Sequence, residues 1–234
     1  MMMTLIVVLV VSGALLAGAA WGLFGRLHER TEGFLVALAG GALLLSAVSE
    51  LIVPSIERGS LWSATLGVAA GAIVFTLADY WIDVKWGRES GGGLLAAITL
   101  DGMPENLALG VALIGAGAPE VAALAGSILL SNLPEAAGSA RQMADDGRSK
   151  GRVLALWGAT AVLLSLCTIG GYTLLETAGE EVLATIRCFA AGAVIASLAV
   201  EVFPQAYRED RHWSGVATAI GVILALALDT MSNG

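Results

Sequence analysis

The chain is poor in charged residues. Asp, Glu, Lys and Arg make up 14% of its 234 residues, whereas an ordinary soluble domain carries about 25%. Hydrophobic residues make up 57% of the chain, and they form apolar runs of the roughly 20 residues that a helix needs to cross a bilayer. The scarcity of charge excludes an ordinary soluble domain, and the apolar runs predict an integral membrane protein with several spans.

Cysteine and histidine are also scarce. The two cysteines, Cys167 and Cys188, lie in apolar runs, which indicates small core residues rather than a disulfide. The two histidines, His28 and His212, lie between the apolar runs, so we expect no imidazole within the membrane. A formal net charge of −8 argues against a nucleic-acid partner.

The apolar runs predict eight spans in a single transmembrane domain that covers residues 1–234. We expect the first run to be a true span because no basic segment precedes it, although a cleaved signal peptide stays open. We expect no soluble domain or long linker between the spans. The predicted spans are about 3–24, 33–53, 61–84, 93–117, 119–142, 151–176, 182–204 and 213–232.

The positions of the twelve Lys and Arg residues predict the orientation. Cytoplasmic loops of membrane proteins are enriched in Lys and Arg. Ten of the twelve fall on one side of the predicted topology and Arg58 alone on the other, while Arg187 falls inside the seventh predicted span. We therefore expect both termini to lie outside, in what the sequence predicts to be a prokaryotic cytoplasmic membrane. The ten are Arg26, Arg30, Lys85, Arg88, Arg141, Arg148, Lys150, Arg152, Arg208 and Arg211.

Two proline-containing segments in the fourth and fifth predicted spans resemble each other. The segments "DGMPENLALG" (101–110) and "SNLPEAAGSA" (131–140) each have a polar pair, an apolar residue and then Pro-Glu. A weaker pair, "SELIVP" and "VEVFP" in the second and seventh spans, has a glutamate three or four residues before a proline. Paired interrupted segments of this kind point to a midplane transporter site. We therefore expect an all-α fold in a 3+2+3 arrangement, with spans 1–3 and 6–8 as inverted repeats.

The polar residues of the two central segments predict an oxygen-rich cation site. Residues four apart share a helix face, so Asp101 and Glu105 point the same way, as do Ser131 and Glu135, with Asn132 beside them. A charge at the bilayer centre costs at least ~2.5–3.5 kcal/mol on insertion scales. Protonation or a bound divalent metal would compensate this cost.

Further polar residues are candidates for the ion pathway. Glu50 and Glu201 precede the prolines of the second and seventh spans, and we expect them in the pathway or at its mouths, with snorkelling to the interface as the alternative. Asn106 and Gly102 belong to the fourth-span segment and are candidates for the same pathway.

At these residues the sequence resembles the ZIP (Zrt/Irt-like protein) family of divalent metal transporters. The resemblance implies eight spans, both termini outside and a binuclear site built by His-Asn-x-Pro-Glu-Gly in span four and His-x-x-Pro-Glu in span five. By position, Glu105 matches the bridging glutamate of the family and Glu135 matches its fifth-span glutamate. Asp101 stands where the family has histidine, while Ser131 and Asn132 take the polar positions before the second Pro-Glu.

The departures from the family pattern bear on the metal. The spans contain no histidine, and Gly102 stands where the family has asparagine, which affects the second metal position. Imidazole suits zinc and the later transition metals, while carboxylate and carbonyl oxygens suit Mg, Ca and Mn. We expect zinc as the first candidate, with Mn, Fe or Cd as others, carried as substrate, and no prosthetic group.

The sequence leaves alternatives to metal transport open. A proton- or cation-coupled carrier of another substrate is one, and a non-transporting or sensor relative of the family is another. An intramembrane metal hydrolase is the least favoured, because its zinc would want histidine ligands, and we expect no enzyme. The expected partners are divalent metal ions and the lipid bilayer, and the sequence leaves a homodimer open.

Overall fold

A computed structural model describes residues 2–25, 28–86, 91–114 and 118–232, and these residues are helical with short connections and no strand. Arg26 and Arg88, on which the orientation partly depends, lie outside the described residues. So does the end of the predicted fourth span, 115–117. The helices are α1 (Met2–Phe24), α2 (Glu29–Ser46), π1 (Ala47–Ile52), α3 (Val53–Arg58), α4 (Leu61–Trp86), α5 (Gly91–Ala112), α6 (Ala118–Asp145), α7 (Lys150–Leu175), α8 (Glu180–Ser197), π2 (Leu198–Val202), α9 (Phe203–Glu209) and α10 (Ser214–Ser232).

Several of these segments have the length and composition of membrane spans. Among the described residues, five qualify, and the segment Ser214–Thr230 is a shorter apolar helix. Large apolar side chains such as Leu66, Leu77 and Trp81 of α4 are exposed on the outside of the bundle, as expected where lipid replaces water. The protein is therefore membrane-embedded. The five segments are Thr4–Phe24, Glu29–Arg58, Leu61–Trp86, Lys150–Leu175 and Glu180–Glu209.

The helices pack in two groups. In the first group α1 packs against α6 and α7, and α5 packs against α7. In the second group α2 packs against α10, and α4 packs against α8. The groups meet where α2 contacts α6 and where α5 contacts α8. The cores consist mostly of small and aliphatic side chains, with Trp157 as the largest fully buried residue.

Glycines let the helices of the second group come into backbone contact. At four positions a β-carbon in place of the glycine hydrogen would overlap a carbonyl oxygen of the neighbouring helix. Small residues at such contacts are typical of packed membrane helices. The four contacts are Gly41 on Thr218, Gly221 on Leu38, Gly71 on Phe189, and Gly192 on Val68.

Arg187 connects the two groups at the end of the bundle opposite the cavity described below. The residue lies on α8 and is buried. Its guanidinium donates hydrogen bonds to the carbonyl oxygens of Val111 (3.3 Å) and Ile114 (3.4 Å), at the end of α5. A helix end leaves its last carbonyls without intrahelical partners, so Arg187 caps α5. The cysteines Cys167 and Cys188 are both free, as the sequence predicts.

Candidate functional site

A cavity of about 500 Å³ lies between the two helix groups. It is bounded by α2, α5, α6 and the stretch from π2 to α9. Its wall carries Asp101 and Glu105 from α5, Ser131 and Glu135 from α6, and Glu201 from π2. Two helices that carry similar Pro-Glu segments thus place their glutamates on one internal surface.

Two prolines shape the helices at this surface. Pro104 lies inside α5 and Pro134 inside α6. Proline has no N–H to donate, so the carbonyls of Leu100 and Leu130, one turn earlier, lose their regular helical partners. Each helix therefore has a carbonyl free of its α-helical bond in the turn before its glutamate.

Four carboxyl groups of the cavity, those of Asp101, Glu105, Glu135 and Glu201, form what we call the carboxylate cluster. Asp101 is 5% and Glu105 is 6% exposed, and the two lie near enough on α5 to repel each other when both are charged. Glu135 is likewise within electrostatic range of Glu105 and Glu201. Asp101 also accepts a hydrogen bond from the hydroxyl of Ser197 on α8. Such a cluster favours a bound cation, because a positive charge relieves the repulsion between neighbouring carboxylates.

The cluster is not a closed coordination cage. Within the described part of the chain, no three Asp, Glu, Cys or His side chains converge closely enough to hold a metal ion. The carboxylates share a cavity but point to no common centre. A cation that binds there must draw side chains from α5 and α6 together.

Two short π-helical segments each contain a glutamate, Glu50 in π1 and Glu201 in π2, and Glu201 lines the cavity. In π1 the N–H of Val53 bonds to the carbonyl of Val48, and in π2 the N–H of Phe203 bonds to that of Leu198. Each bond spans five residues rather than four, and each lies just before a proline, Pro54 or Pro204. Segments of this kind occur often at functional sites. The glutamate-before-proline pattern in the sequence indicates an interrupted helix at both places but does not predict its π-helical form.

The remaining predicted residues lie away from the cavity wall. Asn106 donates to the carbonyl oxygen of Gly102 (2.8 Å) and accepts from the hydroxyl of Thr168 on α7 (3.1 Å). Asn132 is buried, and its amide nitrogen has no hydrogen-bond partner among the described residues. The structure thus brings together Asp101, Glu105, Ser131, Glu135 and Glu201 at the cavity, but not Asn132, Asn106, Gly102 or Glu50.

Gly102 and Glu50 have other surroundings. A β-carbon at Gly102 would collide with the side chain of Leu164 on α7, so the glycine serves helix packing. Glu50 is half-buried in π1. His28, just before α2, and His212, in the turn before α10, are exposed and likewise do not line the cavity.

Charged residues that the sequence analysis did not select for the site line one end of the cavity. Glu32 forms an ion pair with Arg141 at 3.3 Å. Glu209 accepts a hydrogen bond from Gln205 (2.9 Å) and lies within electrostatic range of Glu32 and Arg141. These residues occur near helix ends, so the cavity extends from the carboxylate cluster to the side of the bundle that carries Arg141 and Arg208. No local sequence signal joins Glu32 to a residue of α6.

Comparisons with known proteins add no family to this description. No protein-family model matches the chain, and the search of curated proteins finds no significant match.

Proposed function

We propose that the protein transports divalent metal cations across the membrane toward the cytoplasm, as the resemblance to the ZIP family implies. The site is formed by Asp101, Glu105, Glu135 and Ser131, with Glu201 beside them. The observation that carries the proposal is that Glu105 and Glu135, from two similar Pro-Glu segments, line one cavity together with Asp101 and Glu201. Zinc is the first candidate ion, and Mn, Fe and Cd are the others.

An eight-span 3+2+3 arrangement of inverted repeats is part of the proposal. The glycine contacts support it, because exchanging α2 with α8 and α4 with α10 turns one set of contacts into the other. The contact of Gly41 with Thr218 then corresponds to that of Gly192 with Val68. The π segments agree with the same exchange, since "SAVSE" ends at Glu50 in π1 and "SLAVE" ends at Glu201 in π2.

The chemistry of transport follows from the charge of the cavity. A charged carboxylate at the centre of a membrane helix costs about 2.5–3.5 kcal/mol on insertion scales. A divalent cation offsets that cost by binding two or more carboxylates. Carboxylate, hydroxyl and backbone oxygens are hard donors, so the site accepts Mn²⁺ and Fe²⁺ more readily than a histidine site would, and it still binds Zn²⁺.

The direction of access follows from the extent of the cavity. The cavity joins the carboxylate cluster to Arg141, Asp145 and Arg208 near helix ends, and the distribution of Lys and Arg predicts that this side faces the cytoplasm. The structure corresponds, on this proposal, to the state that releases the ion inward. At the opposite end Arg187 holds α8 against the end of α5.

Uptake into proteoliposomes tests the proposal. The purified chain is reconstituted, and uptake of Zn²⁺, Mn²⁺, Fe²⁺ and Cd²⁺ is measured for the wild type, Glu105→Ala and Glu135→Ala. Glu57→Ala is the matched control, because Glu57 is an exposed glutamate of α3 away from the cavity. We expect uptake by the wild type and the control and none by the two site variants. Uptake unaffected by both substitutions would exclude the site, and no uptake of any divalent ion would exclude the function.

The size of the cavity favours one second candidate. A volume of about 500 Å³ exceeds what a single ion needs and falls within the range of small-molecule pockets, about 300–1,000 Å³. A proton- or cation-coupled carrier of a small substrate would use the carboxylates for the coupling ion. Uptake of a small cationic solute that depends on Glu105 and Glu135, without uptake of divalent metals, would favour this candidate.

A further inference from the structure

A second cavity, of about 650 Å³, lies at the same end of the bundle as the mouth of the ion cavity. It is formed by the first turns of α2 on one side and by the end of α9 and the turn into α10 on the other. Its basic residues are Arg30, Arg208, Arg211 and His212, and its apolar residues include Phe34 and Trp213. We call it the basic groove.

Close packing separates the basic groove from the ion cavity. Gly33 of α2 lies against the Glu209 β-carbon and the Asp210 backbone nitrogen, where a β-carbon would collide with them. Phe34 faces the basic groove on one side of this contact, and Glu32 faces the ion cavity on the other. The basic groove is therefore a pocket of its own, which shares only Arg208 and Glu209 with its neighbour.

The positive charges of the basic groove are available to a ligand. Among the described residues, Arg30 and Arg208 form no salt bridge within 4 Å, and Arg208 lies within electrostatic range of Glu209. Arg211 donates to the hydroxyl of Tyr207 (2.9 Å) and lies 5.7 Å from the centre of its ring, contacts that orient the guanidinium without a carboxylate. The carboxyl of Glu209 accepts from Gln205 and also lines the ion cavity, and Asp210 is buried. An anion that reaches the groove thus finds three guanidinium groups in one pocket.

The groove also has residues typical of the membrane–water interface. Trp213 is exposed at the start of α10, and tryptophan is enriched at the level of lipid headgroups. Phe34 belongs to a helix segment long and apolar enough to cross the membrane. An apolar wall on the membrane side with arginines at its end fits a molecule that has acyl chains and an anionic head.

We propose that the basic groove binds the phosphate headgroup of an anionic phospholipid, with its acyl chains along the Phe34 side. Arginine binds phosphate oxygens through parallel N–H donors, and basic pockets between membrane helices bind anionic headgroups in this way. Because Arg208 lines both cavities, a bound phosphate would also set the position of a charge at the mouth of the ion cavity.

Native mass spectrometry of the detergent-solubilised chain tests this proposal without any transport assay. The chain is titrated with phosphatidylglycerol and, separately, with phosphatidylcholine. We expect the wild type to retain phosphatidylglycerol in preference. The double variant Arg30→Gln with Arg211→Gln should bind it roughly thirtyfold more weakly, since two arginines are lost near the headgroup. Equal retention of the two lipids by the wild type would overturn the proposal, whether or not the variant folds.

Two further measurements test whether binding depends on the groove rather than on net charge, and on a lipid rather than on free phosphate. The control variant Arg148→Gln with Arg152→Gln removes the same charge from the connection before α7 and from the first turn of α7, and it should keep the wild-type affinity. An equal loss in this control would show attraction by net charge alone and would overturn the proposal. Inorganic phosphate is added to the lipid-loaded chain and should not displace the lipid. Displacement at equal concentration would make a soluble phosphate the ligand and would also overturn it.

Discussion

The carboxylate of Glu32 on α2 lies 3.3 Å from the guanidinium of Arg141 on α6, and Gly138 lies directly beneath that carboxylate. The contact links the two helix groups at the end of the ion cavity. The side chain of Glu32 is 4% exposed and that of Arg141 is 32% exposed. Without its partner, Glu32 would therefore remain a buried carboxylate, whereas Arg141 would remain partly in contact with water.

Removing the arginine should destabilise the protein more than removing the glutamate charge. Arg141→Gln leaves the Glu32 carboxylate buried beside Glu209 with less compensating charge, and an unsatisfied buried group costs about 1–3 kcal/mol or more. Glu32→Gln leaves Arg141 partly in water, where its charge is solvated. Unfolding temperatures in detergent measure the difference, with Arg152→Gln as the exposed control. A larger loss for Glu32→Gln than for Arg141→Gln would contradict this account of the pair.

Gly138 should tolerate no side chain. In Gly138→Ala the new methyl group would overlap the Glu32 carboxylate, and overpacking of this kind costs about 1–3 kcal/mol. Gly158→Ala is the matched control, because a β-carbon there meets no neighbouring atom and alanine is the better helix former. We expect a lower unfolding temperature for Gly138→Ala and an unchanged or higher one for the control. Equal stability of the two variants would show that the carboxylate does not lie on Gly138.

Ser197 should act as a positioning residue for Asp101. Its hydroxyl donates to the Asp101 carboxylate, and losing a partner of a metal ligand weakens metal affinity roughly 10- to 100-fold. Ser46→Ala is the control, because Ser46 occupies the corresponding place before π1 but bonds to Ser127 (2.8 Å) rather than to a carboxylate. Titration calorimetry with Zn²⁺ and Mn²⁺ should show weaker binding for Ser197→Ala and unchanged binding for Ser46→Ala. Equal affinities for the two variants would argue that Asp101 is not a ligand.

Asp101 should also govern which metal is preferred. Asp101→His replaces an oxygen donor with imidazole, which suits zinc better than manganese, so the ratio of Zn²⁺ to Mn²⁺ uptake should rise. Asp145→His is the control, because Asp145 lines the cavity near the end of α6, away from the carboxylate cluster. The same rank order of metals in both variants and the wild type would exclude residue 101 from the site.

The cavity carboxylates could be predicted because the residues that identify them lie close together in the sequence. Asp101 and Glu105 are one helical turn apart, and the Pro-Glu pair recurs at Glu135, so short segments were enough to select them. The all-helical architecture was predictable as well, because long apolar runs in a low-charge chain allow little else.

The contacts of these residues could not be predicted, because they join distant parts of the chain. Asn106 shares a segment with Glu105 but turns toward Thr168, since the rotation of a helix is decided by its neighbours. Glu201 reaches the cavity wall while Glu50 does not, although the two segments read alike. The bonds from Ser197 to Asp101 and from Arg141 to Glu32 cross between helices and leave no pattern in either segment.

The most direct test of the central claim is a double-mutant cycle in metal affinity, measured by titration of the purified chain with Zn²⁺ and Mn²⁺. The claim is that Glu105 and Glu135 bind one cation together. Glu105→Gln and Glu135→Gln should each weaken binding, and the double variant should lose less than the sum, with a coupling of about 0.5–3 kcal/mol as for residues that share a partner. Losses that add, or affinities that do not change, would contradict the claim.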